Sequence, residues 1–179
     1  MMKTEQNGSR YGGFTIVELL VVIVIIAILV AIAVPMVNSG IQSAKKANCL
    51  SNLKQIGTGL ELYLGDNNQI MPELEAGRTS RQDDLPVLET VLEEYLDSEE
   101  VFHCPADTHH FESSGSSYLW NVTQNGLHAT RLNFFGEETN SKIPLVFDKE
   151  ALHGDGAEGV NYLYADQTAE NDPRFITAP

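Results

Sequence analysis

The sequence predicts an α+β protein: one long N-terminal helix, half membrane-spanning and half amphipathic, packed on a small antiparallel β-sheet domain. Three observations carry that reading. Residues 14–37 (FTIVELLVVIVIIAILVAIAVPMV) form an apolar run in which the stretch from Leu19 to Val34 has no polar side chain. Beyond it, apolar residues recur at helical spacing as far as Leu64. The C-terminal part alternates short runs rich in Val, Tyr, Phe and Trp with Gly- and Asn-rich joints.

The first element is the leader, residues 1–13 (MMKTEQNGSRYGG), polar and carrying Lys3 and Arg10. Basic residues before an apolar run favour a cytoplasmic start. The run that follows is about 24 residues, roughly 36 Å of helix, enough to cross a hydrocarbon core of about 30 Å. It exceeds the apolar region of an ordinary secretory signal, about 7–15 residues with its cleavage site on the far side. The small residues that suit cleavage, Gly12 and Gly13, precede the run. Cutting there leaves the apolar helix on the mature chain.

Gly13-Phe14-Thr15, an acid at Glu18, an apolar run and Pro35 resemble the processing signature of type IV pilins and type II secretion pseudopilins. The resemblance implies cleavage after Gly13 by a prepilin peptidase, which also methylates the new amine on Phe14. It further implies that Glu18 meets the Phe14 amine of a neighbouring subunit and sets register in a filament. A carboxylate inside a membrane helix costs at least about 2.5–3.5 kcal/mol near the centre and usually has a partner. The bland alternative for Glu18 is a hydrated place near the interface. Pro35 lacks an amide proton and must disturb the preceding turn; the pattern beyond it favours a kink over a stop.

Cys49, Leu53, Ile56, Leu60 and Tyr63 then recur at helical spacing, widened by Leu50, Gly57 and Leu64, with Lys45, Lys46, Lys54 and Glu61 elsewhere. One helix therefore extends to about Leu64, its outer half packing on a domain. Gly57 and Gly59 weaken it and mark close packing. Gly65-Asp66-Asn67-Asn68 ends it. The predicted division is leader 1–13, transmembrane and assembly helix 14–37, amphipathic continuation 38–66 and periplasmic globular domain 67–179.

Later stretches resemble one subgroup of bacterial pseudopilin-like proteins: Cys49 with SNLKQIG after it, Phe102-His103-Cys104-Pro105-Ala106-Asp107, and His153-Gly154 followed by Val160 to Asp166. That subgroup usually has Gly-His after the last Asp, where this chain has Gln167-Thr168.

In an oxidising periplasm Cys49 and Cys104 are expected to form a disulfide. The alternatives are two buried thiols, or a metal site drawing on His103, Cys104, His109 and His110, although the usual zinc spacings are missing. His109-His110 reads as an exposed loop pair. In the outer domain, Leu85–Leu96 reads as a short helix, and 117–123, 144–147 and 160–165 read as strands.

The chain carries a formal net charge of −14, and residues 82–130 contain no Lys or Arg. Such a surface repels phosphate, so nucleic acid is excluded as a partner. The bland reading is a soluble acidic face. Major pseudopilins of type II secretion are known for a calcium site in a C-terminal loop. Here Asp148, Asp155, Glu158 and Asp166 offer oxygen ligands, with Asp155 and Glu158 the best placed for Ca2+. No catalytic motif emerges, and the chain is not read as an enzyme.

The function expected is a pseudopilin-like structural subunit of a type II secretion system or pilus-like filament. It would be single-pass in the bacterial inner membrane, with prepilin peptidase, other pseudopilins and the inner-membrane secretion platform as partners. The alternative is an anchored extracytoplasmic polysaccharide-binding protein stacking sugars on Tyr118, Trp120, Tyr162 or Tyr164.

Overall fold

The structure, a computed structural model, describes residues 13–175. The leader before Gly13 and the last four residues lie outside the described residues. Contacts divide the chain into two compact units, one ending at Gly40 and one beginning at Ile41.

Helix α1 spans Ile16–Asp66 and continues through Pro35, which excludes the stop reading of that proline. It opens on a reciprocal cap. The backbone N–H and the hydroxyl of Thr15 donate to Glu18 Oε2 at 2.9 and 2.8 Å, and the Glu18 N–H donates to Thr15 Oγ1 at 3.2 Å. Thr-x-x-Glu is the sequence form of a capping box, in which two orphan donors of the first turn are satisfied. In the N-terminal unit every described residue is exposed, with apolar side chains on all sides of the helix. Among the described residues α1 is the one helix long and apolar enough to cross a membrane.

Within the second unit, the α1 face carrying Cys49, Leu53, Ile56, Gly57, Gly59, Leu60 and Leu64 is buried. The glycines are where the contact is closest. A Cβ on Gly59 would sit 3.0 Å from Leu96, and one on Gly57 would sit 3.2 Å from Leu163. α1 ends through an N–H from Gln69 to the Leu64 carbonyl at 2.9 Å, with Asn68 at φ 56°. Asn tolerates this left-handed conformation better than most residues.

The predicted Leu85–Leu96 helix is only partly formed. α2 spans Leu88–Val91 and is followed by a 3-10 turn at Glu93–Tyr95. Pro86 disfavours helix at Leu85, and Leu96 is extended at φ −127°, ψ 139°, where it reaches Gly59. A further short helix, α3, spans His110–Ser114.

The sheet is a four-stranded antiparallel meander in chain order: β1 (Tyr118–Trp120), β2 (Pro144–Asp148), β3 (Tyr162–Tyr164) and β4 (Ala169–Glu170). β1 is shorter than the predicted 117–123 run because Asn121 Oδ1 accepts the Thr123 N–H and diverts the chain into a 3-10 turn at Val122–Gln124. β3 occupies only the centre of the predicted 160–165 run. β4 is an addition to the sequence reading. It follows a turn in which Asp166 Oδ1 accepts both the N–H and the hydroxyl of Thr168 and Gln167 takes φ 67°. The core lies between α1 and this sheet, and Tyr118, Trp120, Tyr164, Phe102, Leu53, Ile56 and Leu60 are its largest fully buried side chains.

Candidate functional site

The residues singled out in the sequence fall into separate places. In the N-terminal unit, Phe14 is 78 % exposed and the apolar helix after it presents Ile16, Leu20, Val24, Ile28 and Ile32 without cover. Glu18 is the one ionisable side chain of that run, and its carboxylate is engaged by Thr15, as described above. A helix that is hydrophobic all round is stable only in lipid or among other helices. This surface is therefore built to be covered by something outside the unit.

The second place is a buried polar seam in the domain. Cys49 and Cys104 are joined, with an S–S distance of 2.01 Å and Cα atoms 4.9 Å apart. Both are fully buried. The metal reading that used Cys104 falls with that bond, and His103 instead stacks on Phe111 with ring centroids 4.4 Å apart. His153 Nε2 lies 3.2 Å from Cys104 Sγ and 3.9 Å from Asp148 Oδ2. Burial pushes the His153 imidazole down, aided by Lys46 and Lys45. Burial pushes the Asp148 carboxyl up to about 7, against the lowering effect of the Asn161 N–H that it accepts at 2.8 Å. Cys104, His153 and Asp148 resemble a nucleophile–base–orienter series, but the sulfur is already bonded and buried.

Asp107 shows the opposite environment. Burial alone raises its carboxyl. Hydrogen bonds from the Ser117 hydroxyl (2.6 Å) and from the His109, His110 and Phe111 N–H groups (2.9, 2.9 and 2.8 Å) overcome that and hold it down at about 2. Ser117 Oγ in turn accepts the Cys104 N–H at 3.0 Å. Asp107 thus anchors the loop that carries the disulfide and the start of α3. In the sequence Asp107 stands out only as part of the Cys-Pro-Ala-Asp stretch and as one acid of an acidic segment. The available signal was an Asp three residues before a helix start, where a carboxylate collects orphan N–H groups.

Asp155 and Glu158, the calcium candidates, are both exposed, around a 3-10 turn at Gly156–Gly159. Asp148 is buried beside Asn161, whereas Asp166 holds Thr168 and approaches Arg174 Nη1 at 3.6 Å. Among the described residues two groups of three potential ligands converge, Cys49/Cys104/His153 and His109/His110/Glu150. Asp155 and Glu158 belong to neither. Tyr118, Trp120, Tyr162 and Tyr164 are at most 7 % exposed, so the sugar-stacking faces imagined for them are core.

Against this geometry the family match falls at the N-terminal end. Residues 8–34 match the family described as the prokaryotic N-terminal methylation motif. The N-terminal segment is thus similar to the methylated N-terminal segment of pilins and pseudopilins. The type II secretion system core protein G of Pectobacterium carotovorum subsp. carotovorum is 35 % identical over 72 residues, 40 % of this chain and 46 % of that protein. The match thus spans just under half the length of that relative. No solved structure matches. The matched motif contains Gly13, Phe14 and Glu18, and Pro35 follows one residue beyond it.

Proposed function

We propose that this chain is a pseudopilin-type subunit that is processed after Gly13, methylated on Phe14 and polymerised through its N-terminal helix. The observation that carries the reading is an apolar helix exposed on all sides, with one acid in its first turn. Before cleavage the Thr15–Glu18 box satisfies that acid within its own chain. Cleavage creates a charged amine on Phe14, and Glu18 then serves a neighbouring subunit, neutralising both charges as the helix leaves lipid for a bundle of helices. The N-terminus lies on the cytoplasmic side of the inner membrane and the domain from about residue 41 onward on the periplasmic side. There the oxidising compartment accounts for the disulfide. Prepilin peptidase, other pseudopilins and the inner-membrane platform are the partners this reading requires.

The test is Glu18→Ala in the native host. N-terminal processing should continue, because the cut precedes the helix, while incorporation into filaments, read by cross-linking between neighbouring subunits, should fall at least tenfold. Cross-linking at the wild-type level would contradict the assembly role of Glu18.

A further inference from the structure

The His109-His110 pair, read from sequence as a solvated loop, converges with Glu150 from the segment after β2. His109 Nε2 lies 4.0 Å from Glu150 Oε1 and His110 Nε2 lies 3.5 Å from Glu150 Oε2. One ligand atom from each of the three residues falls within 4.8 Å of the others. The geometry points to a divalent transition-metal site formed by His109, His110 and Glu150, with zinc as the ion that best fits two imidazoles and a carboxylate.

Three features support it. First, His110 Nε2 is a buried atom without a hydrogen-bond partner, and a buried ring nitrogen left in that state is costly; a metal ion supplies the missing partner. Second, the backbone under both histidines is fixed, because their N–H groups are held by the buried Asp107 carboxylate. Third, His109 Nδ1 lies 3.3 Å from Thr108 Oγ1. Donation from Nδ1–H to that oxygen leaves the Nε2 lone pair for the metal, the outer-shell arrangement common to ligating histidines.

Ligands on a tetrahedral zinc stand roughly 3.4 Å apart, from bond lengths of about 2.0–2.2 Å. The Glu150–His110 distance already matches. His109, whose side chain is 60 % exposed, closes the remainder by side-chain rotation. Three protein ligands leave the fourth position to water. Imidazole pairs with a carboxylate select zinc-like ions over calcium, which prefers oxygen alone. This site is therefore distinct in chemistry and place from the acidic Asp155–Glu158 loop.

The experiment uses the full chain in detergent micelles, stripped with chelator and dialysed against zinc chloride. Wild type should take up one zinc per chain, with the ring resonances of His109 and His110 shifting in NMR spectra. His109→Ala, His110→Ala and Glu150→Gln should each weaken binding about tenfold or more, and His103→Ala should leave it unchanged. An equal concentration of calcium should not displace the zinc. Melting in the presence of chelator checks that each variant is folded, and Glu150→Gln, at a half-exposed side chain, keeps the test decisive if His110→Ala is not. No uptake by wild type, or uptake unchanged in the His109→Ala/His110→Ala double variant, would overturn the site.

Discussion

The N-terminal unit and the domain use apolar residues in opposite ways. In the unit ending at Gly40, Ile, Leu and Val surround the helix and none of the described residues is buried. In the domain most of them gather on one stripe of α1 and in the segments packed against it, where Cys49, Leu53, Ile56 and Leu60 are fully buried. The same residue types thus serve two solvents. Periodic placement commits a helix to its own chain's core, and uniform placement commits it to lipid or to other chains.

The largest effect should come from exchanging a large side chain in each region. Trp120→Ala removes a fully buried ring whose Nε1–H donates to Asn125 Oδ1 at 2.7 Å, and should cost the domain about 3–5 kcal/mol. Ile25→Ala, at a half-exposed position, should move domain melting by less than about 0.5 kcal/mol. Thermal unfolding of both in micelles checks this, and equal losses would mean that the two regions share a core. Next comes the disulfide. Replacing both Cys49 and Cys104 by Ser should cost about 2–4 kcal/mol by freeing the unfolded chain, as read by urea unfolding.

The pH profile should separate two buried carboxylates. Asp107, held at about 2 in the folded state, contributes stability that is complete above its unfolded pKa near 3.9 and is lost as pH falls toward about 2. Asp107→Asn should cost about 1–3 kcal/mol at neutral pH and flatten that acid limb. Asp148 titrates near 7 in the folded state. Between about 3.9 and about 7 the folded protein binds the proton that the unfolded chain has lost, so stability declines as pH rises through that window. Asp148→Asn should gain on wild type across it. Melting curves from about pH 2 to 8 distinguish these opposite slopes. The smallest effect is expected at Gln167, whose φ of 67° is the conformation glycine takes freely. Gln167→Gly should stabilise by about 1 kcal/mol, measured by the same unfolding assay.

Much of this contrast was legible in the sequence, because it is a contrast of patterns. The stripe Cys49–Leu53–Ile56–Leu60 predicts its own burial through helical period, and the unbroken run from Leu19 to Val34 predicts a surface with no cover in its own chain. The sheet was legible as strands but not as lengths, because Asn121 and Asp166 end or begin strands through side-chain bonds that compete with the ladder. The Leu85–Leu96 pattern overstated a helix, since its apolar spacing is met by α2, a 3-10 turn and an extended Leu96. Asp107, His153 and Glu150 were the least legible. Their partners come from distant segments, and an Asp that gathers three N–H groups looks, in one dimension, like any surface acid.

The central claim is that the N-terminal helix is matured for assembly, not merely retained as an anchor. The intact N-terminal mass of the protein extracted from its native membrane tests it most directly. Maturation for assembly predicts a chain that starts at Phe14 and carries one added methyl group. A chain starting at Met1, in cells with an active prepilin peptidase, would contradict it.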